Sequence, residues 1–251
     1  MKFEDIKQIA IKATPKVKVT TISEYHRHDI VERLHGKSNV GIELGVAGGH
    51  YSKRMVQSKK FKLFFGVDLY EDHHDTSEYV SALKLIGIDE RYTLLRMSFD
   101  DAVSLFDDNS FDFIYFDGYA HTGEEGGKTF SDWYKKLKVG GIFAGDDYHD
   151  DWPLVKWAVN DMVQKLDCNL SITGRTETTH LNRYPSWFFE KNNEIEFSPD
   201  EKLQNLGMEI REATRKAKSP NIQITVRKLA EILKDIKVKH PKVAEQLKIL
   251  L

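Results

Sequence analysis

At 251 residues, the chain has room for one large α/β domain with a small appendage. Its 37 Lys and Arg against 39 Asp and Glu leave a net charge of −2, which excludes the wide basic field of a nucleic-acid binder. The single cysteine, Cys168, excludes an intramolecular disulfide and a thiolate metal cluster. The opening Met-Lys-Phe-Glu-Asp puts charges where a signal peptide needs an apolar core, and no apolar run is long enough to span a bilayer. A soluble, cytoplasmic protein with no membrane or nucleic-acid partner is expected.

Residues 1–35 predict one or two leading helices, with Pro15–Thr21 as their connection because proline and alternating valines disfavour helix. Short apolar runs then alternate with helical patterns, which predicts a largely parallel sheet. The strands are expected at Val40–Leu44, Leu63–Val67, Tyr92–Leu95, Phe111–Phe116, Gly141–Ala144, Cys168–Ile172 and Trp187–Phe189. Helices are expected near His50–Ser58, Ser77–Ile86, Asp100–Phe106, Glu124–Leu137 and Trp152–Lys165, the last with Asp151 as N-cap and Pro153 in its first turn. Beyond Glu190 the texture becomes charged. Pro199-Asp200 starts a helix, Ser219-Pro220-Asn221 breaks it, and Val226–Val238 and Pro241–Leu251 read as further amphipathic helices. Leu229, Ile232, Leu233 and Ile236 share one side of this tail, which fits packing on the domain or a homo-oligomer contact; its lysines read as a solvated face. The divisions expected are a helical lead-in at 1–37, a central domain at 38–190 and a helical extension at 191–251.

The most informative stretch is Val40-Gly-Ile-Glu-Leu-Gly-Val-Ala-Gly-Gly49. An apolar strand carries the acid Glu43 near its end, then breaks into a glycine-rich turn before a helix. Glycines let a backbone approach a ligand closely. An acid two residues before Gly45 repels a pyrophosphate but suits a cofactor with a positive group, such as the sulfonium and ammonium of S-adenosylmethionine. A dinucleotide G-x-G-x-x-G needs glycine at two and five places after Gly45, and those places hold Ala47 and His50. An ordinary strand-to-helix turn is the alternative. Asp68, in Phe65-Gly-Val-Asp-Leu69, ends the next strand about 25 residues beyond Glu43, where an acid hydrogen-bonds ribose hydroxyls in nucleotide-binding α/β folds.

Taken together, Glu-Leu-Gly-Val-Ala-Gly-Gly, Gly-Val-Asp-Leu, Phe-Asp-Phe-Ile-Tyr-Phe-Asp-Gly and Gly-Gly-Ile-Phe-Ala-Gly-Asp-Asp resemble a class I S-adenosylmethionine-dependent methyltransferase. More narrowly, they resemble the metal-dependent O-methyltransferases related to catechol O-methyltransferase and the macrolide-sugar enzymes. The likeness covers roughly residues 38–190. It implies a doubly wound, mostly parallel Rossmann-like seven-stranded sheet in the order 3-2-1-4-5-7-6, with a final antiparallel strand and helices on both faces. It also implies that Glu43 lies near the methionine or ribose part of the cofactor, that Gly45, Ala47 and Gly49 form the loop beneath it, and that Asp68 holds the ribose. Ser98 and Phe99 match the segment bordering the adenine, and Asp100 is equally well read as a helix cap.

Asp117 follows one strand and Asp146-Asp147 the next, so the three carboxylates are expected at one C-terminal rim. They repel each other there unless a cation or protons intervene. Hard oxygen ligands select Mg²⁺, Mn²⁺ or Ca²⁺, and the resemblance implies Mg²⁺ (or Mn²⁺) gripping an acceptor hydroxyl. The alternative is that the acids cap helices or end strands in an enzyme that works without metal. Asp117 counts as catalytic through its place at the acceptor. For the base, His121 and His149 are rivals. Trp152, Trp157, Tyr119 and Tyr148 are offered as acceptor-pocket residues, Trp157 equally as core.

The function expected is O-methylation of a sugar or glycosylated small molecule with Mg²⁺ assistance. A catechol-like phenol is the second acceptor. A metal-independent N-methyltransferase and a cofactor-sensing protein stay open.

Overall fold

A computed structural model of the chain describes residues 3–71, 75–118, 123–177 and 183–213. The chain forms two compact units, Met1–Met208 and Glu209–Leu251. The first is built on an eight-stranded sheet: β1 (Val19–Ile22), β2 (Asn39–Leu44), β3 (Phe61–Asp68), β4 (Tyr92–Arg96), β5 (Phe111–Phe116), β6 (Leu137–Gly145), β7 (Leu170–Thr173) and β8 (Trp187–Glu190). Their order is β1-β7-β8-β6-β5-β2-β3-β4, and only β8 pairs antiparallel, with β6 and β7.

Without β1, this order is the 3-2-1-4-5-7-6 arrangement expected. The addition is β1, which pairs parallel with β7 at the sheet edge from Val19↔Leu170 to Ile22↔Thr173. Part of the Pro15–Thr21 stretch, expected to be a bare connection, is therefore strand. The valines and threonines that disfavour helix there also favour a pleated edge.

The helices are α1 (Phe3–Ala13), α2 (His50–Gln57), α3 (Thr76–Ile86), α4 (Phe99–Val103), α5 (Gly123–Gly126), α6 (Lys128–Tyr134) and α7 (Pro153–Leu166). Instead of a second leading helix, a 3₁₀ segment spans Arg27–Arg33. The single helix expected over Glu124–Leu137 is broken at Gly127, which is left-handed at φ 88°. Asp151 is not the cap of α7: Trp152 holds that position, and the Asp151 carboxylate accepts from the Tyr184 hydroxyl at 2.7 Å. Pro153 does open the helix, where its missing N–H costs nothing.

Aromatic layers cover both faces of the central strands. Phe113 and Tyr115 join Ile30, Val31, Tyr51, Met55 and Phe64 in one cluster, which fastens the 3₁₀ segment and α2 to the sheet. Phe116 packs edge-on against Phe130 of α6 and Phe143 of β6, each at 4.9 Å between centroids. Each fully buried aromatic contributes about 1.5–3 kcal/mol, so these layers fix the strand ends from which the site grows. The unit continues past Glu190. Leu203 and Leu206 are buried, Asp200 caps the segment that is helical from Glu201 (Leu203 N–H to Oδ1, 2.9 Å), and its N–H donates to Asp161 at 3.0 Å. The amphipathic face at Leu229, Ile232, Leu233 and Ile236 lies outside the described residues. No described helix is long and apolar enough to cross a membrane.

Candidate active site

The glycine turn and the acids stand at the C-terminal ends of β2, β3, β5 and β6, the rim where open α/β sheets hold their ligands. Gly45 is left-handed at φ 100°, and a Cβ there would lie 2.2 Å from the Asp117 carbonyl oxygen, so only glycine lets the turn lie against β5. Gly49 is left-handed at φ 81° and caps α2. Between them Ala47 is also left-handed at φ 45°.

Asp68 organises this turn. Its Oδ2 accepts from the N–H groups of Val46 and Ala47, both at 2.9 Å, and its Oδ1 from Tyr70 N–H at 3.2 Å. The Tyr70 hydroxyl then donates to the Ala47 carbonyl at 2.8 Å. The carboxylate expected to hold a ribose also clamps the loop. Glu43 is buried under the turn, bonded to the Ser52 hydroxyl, which also accepts from Tyr92 at 3.0 Å. Desolvation pushes the Glu43 pKa well up, against the pull of Ser52. Ser98 is the N-cap of α4: its hydroxyl accepts from Asp101 N–H at 3.1 Å, so Ser98 and not Asp100 caps that helix. Phe99 is buried against Gly118, where a Cβ would meet its ring at 2.9 Å.

The acids of β5 and β6 do converge, and a residue absent from the expected site meets them. Arg27, the first residue of the 3₁₀ segment, donates from one Nη1 to Asp117 Oδ2 at 2.9 Å and to Asp146 Oδ2 at 3.2 Å. It is 5 % exposed, and its guanidinium lies 5.0 Å over the Tyr51 ring, which stacks on Tyr115 at 4.2 Å. Asp146 spends its other oxygen on the Ser186 hydroxyl at 3.0 Å. The charges of Tyr115, Asp117, Asp146 and Glu43 raise the Arg27 pKa despite its burial, so it stays a cation. Two carboxylates thus bond this one guanidinium, and Asp147 follows Asp146 in the chain. Burial and mutual repulsion push Asp146 and Asp147 upward, so the cluster retains a proton that an exposed acid would release.

A divalent ion does not fit this arrangement. Both Asp146 oxygens are engaged, an Asp117 oxygen is held by the arginine, and among the described residues no three His, Cys, Asp or Glu side chains are grouped to hold a metal. Asp147 sits at φ 61°, a left-handed position that Asp tolerates better than most residues. His149 is exposed; its Nδ1 accepts from Asp151 N–H at 3.1 Å, and its ring stacks on Tyr184 at 4.6 Å. His121 and Tyr119 lie outside the described residues. Trp157 is core, and the Tyr148 hydroxyl donates to Asn160 Oδ1 at 2.8 Å.

Residues 42–148 match a family model described as a methyltransferase domain. No curated protein matches the chain. Among solved structures, a Klebsiella pneumoniae protein inferred to be an O-methyltransferase is 15% identical over 76% of this chain and 90% of its own, with a TM-score of 0.52. Spermidine synthase from Thermotoga maritima is 15% identical over 74% of this chain and 71% of its own, at a TM-score of 0.49. An inferred methyltransferase from Streptococcus mutans, in complex with SAH, is 17% identical over 65% of this chain and 94% of its own, at a TM-score of 0.45. At these identities the first likeness speaks for the fold, and the other two carry no further weight. The matched span holds the glycine turn, Asp68 and the converging acids together on a Rossmann-like sheet, which is what the chain shares with that family.

Proposed function

We propose that the chain is an S-adenosylmethionine-dependent O-methyltransferase acting on a hydroxyl of a small molecule, with a sugar or glycosylated compound as first acceptor. One observation carries this reading: the loop N–H groups that a pyrophosphate would claim are already held by Asp68, and the neighbouring strand ends present carboxylates. Such a rim favours a cofactor bearing positive charge over a dinucleotide.

S-adenosylmethionine supplies an electrophilic methyl group on sulfur. The chain's own part is to orient the acceptor hydroxyl and to take up its proton as the oxygen–carbon bond forms. The turn from Gly45 to Gly49, held by Asp68, forms the floor for the cofactor, with Ser98 and Phe99 bordering it. The acid cluster of Asp117, Asp146 and Asp147 is the place for the acceptor proton, taken up by a carboxylate of the cluster that is ionised, with His149 and His121 as the rival bases. Mg²⁺ assistance, expected from sequence, is not part of this reading because the residues do not fit the ion. A catechol-like phenol is the second acceptor.

The test is transfer of a labelled methyl group from S-adenosylmethionine to a panel of sugars, nucleotide-sugars, phenols and amines. Label on a sugar hydroxyl supports the reading. Label on amines alone replaces O- with N-transfer.

A further inference from the structure

The acid rim has a cation of its own. Arg27 reaches it from a segment 90 residues before Asp117 and 119 before Asp146 in the chain, and neither acid belongs to its own element. Its position is built. The His26 N–H donates to Asp29 at 2.8 Å to start the 3₁₀ segment, and Ile30 and Val31 are buried in the sheet cluster. Tyr51, itself buried, supports the guanidinium from below. A flexible surface arginine that happened to fall near an acid would show neither the burial nor the aromatic floor.

We propose that Arg27 takes the place of a divalent cation at this rim, so that the methyl transfer inferred above proceeds without a metal. The inference rests on that functional reading, but its physical core concerns only Arg27, Asp117 and Asp146. A divalent ion and a guanidinium answer the same need, which is to neutralise carboxylates that would otherwise repel each other and drift from their positions. The arginine does so with directional hydrogen bonds. Arg27 is then a positioning residue: it sets Asp117 and Asp146 in place.

The experiment is a Mn²⁺ titration of the full chain followed by electron paramagnetic resonance, in which the signal of hydrated Mn²⁺ is lost on uptake. Four proteins are compared: wild type, Asp146→Asn, Arg27→Lys and Arg27→Met, each checked for folding by circular dichroism. Methionine matches the arginine stem in bulk and removes the charge. Wild type, Arg27→Lys and Asp146→Asn are expected to give the same weak background uptake. Arg27→Met is expected to bind Mn²⁺ at least tenfold more tightly, because its carboxylates have lost their counter-ion, and a loss of stability alone would not produce that gain. Stoichiometric uptake by wild type that Asp146→Asn abolishes would overturn the proposal, as would a folded Arg27→Met no tighter than wild type. If Arg27→Met does not fold, the comparison of wild type with Asp146→Asn still decides. Failure to bind S-adenosylhomocysteine would remove the methyl-transfer reading while leaving the Mn²⁺ result intact.

Discussion

Replacing Asp68 by Asn removes the charge from the clamp on the glycine turn. Three backbone N–H groups converge on this carboxylate, those of Val46 and Ala47 on one oxygen and that of Tyr70 on the other. An amide has only one acceptor oxygen. Either Tyr70 N–H loses its partner or the two loop N–H groups face an amide N–H₂. The side chain is 8 % exposed, so water cannot readily take over. An unmade buried hydrogen bond costs about 1–3 kcal/mol, and the remaining bonds lose their charge assistance, so a total of about 2–4 kcal/mol is expected. With a urea slope of roughly 2 kcal/mol per molar, the midpoint should fall by about 1–2 M at unchanged slope. Urea unfolding followed by tryptophan fluorescence reads this directly. A midpoint within about 0.3 M of wild type would refute the clamp. If such a stable variant had also lost S-adenosylhomocysteine affinity, the ribose role expected from sequence would be the better account.

Gly45→Ala would place a Cβ 2.2 Å from the Asp117 carbonyl at a left-handed φ, and loss of soluble folded protein is expected; a folded variant at wild-type yield would contradict the close approach. Ala47→Gly should do the opposite, since it relieves a left-handed alanine worth about 1–2 kcal/mol and gives back about 0.4–1 kcal/mol through the freer unfolded chain. A small gain in thermal midpoint is the expected result, and a clear loss would count against strain at this position. Burial and the charges of Asp146 and Asp117 raise Asp147 to about 8 in the fold against 3.8 unfolded, so the folded state holds a proton that the unfolded chain has released. Its contribution to stability is therefore complete below about pH 4 and is lost as pH rises toward 8. The stability difference between wild type and Asp147→Asn, which keeps a side chain tolerant of φ 61°, should shift against wild type from pH 5 to pH 8 in urea unfolding; a flat difference would contradict the raised proton affinity. Lys191→Met should destabilise by about 1–3 kcal/mol, because the buried Nζ donates to the carbonyls of Tyr134 (3.3 Å) and Leu137 (2.7 Å), and an unchanged urea midpoint would deny it that role.

What the sequence makes legible is what local chemistry writes. The apolar runs of β2, β3 and β5 are buried in a parallel sheet and read as strands at nearly their observed bounds. The glycine turn declares itself because Gly45 and Gly49 occupy left-handed positions between a strand and a helix. The convergence of Asp117 with Asp146 follows from their places at the ends of adjacent parallel strands. What stays hidden is what depends on partners distant in the chain. Nothing in His26-Arg27-His28 announces that its arginine meets acids some 90 residues away. The available clue was electrostatic: a rim with three carboxylates requires a compensating cation, and a buried arginine is as fit a candidate as an ion. The clamp that Asp68 makes on the turn, and the choice of Ser98 over Asp100 as the cap of α4, depend on which backbone N–H groups lie in reach, which spacing alone does not say.

The central claim, that this chain holds a positively charged nucleoside cofactor at the Gly45–Asp68 rim, is tested most directly by isothermal titration of the purified protein with S-adenosylmethionine, S-adenosylhomocysteine and NADH. The account predicts saturable one-to-one binding of the first two and none of NADH. A folded protein that binds neither sulfur nucleoside, or that binds NADH in their place, would contradict it.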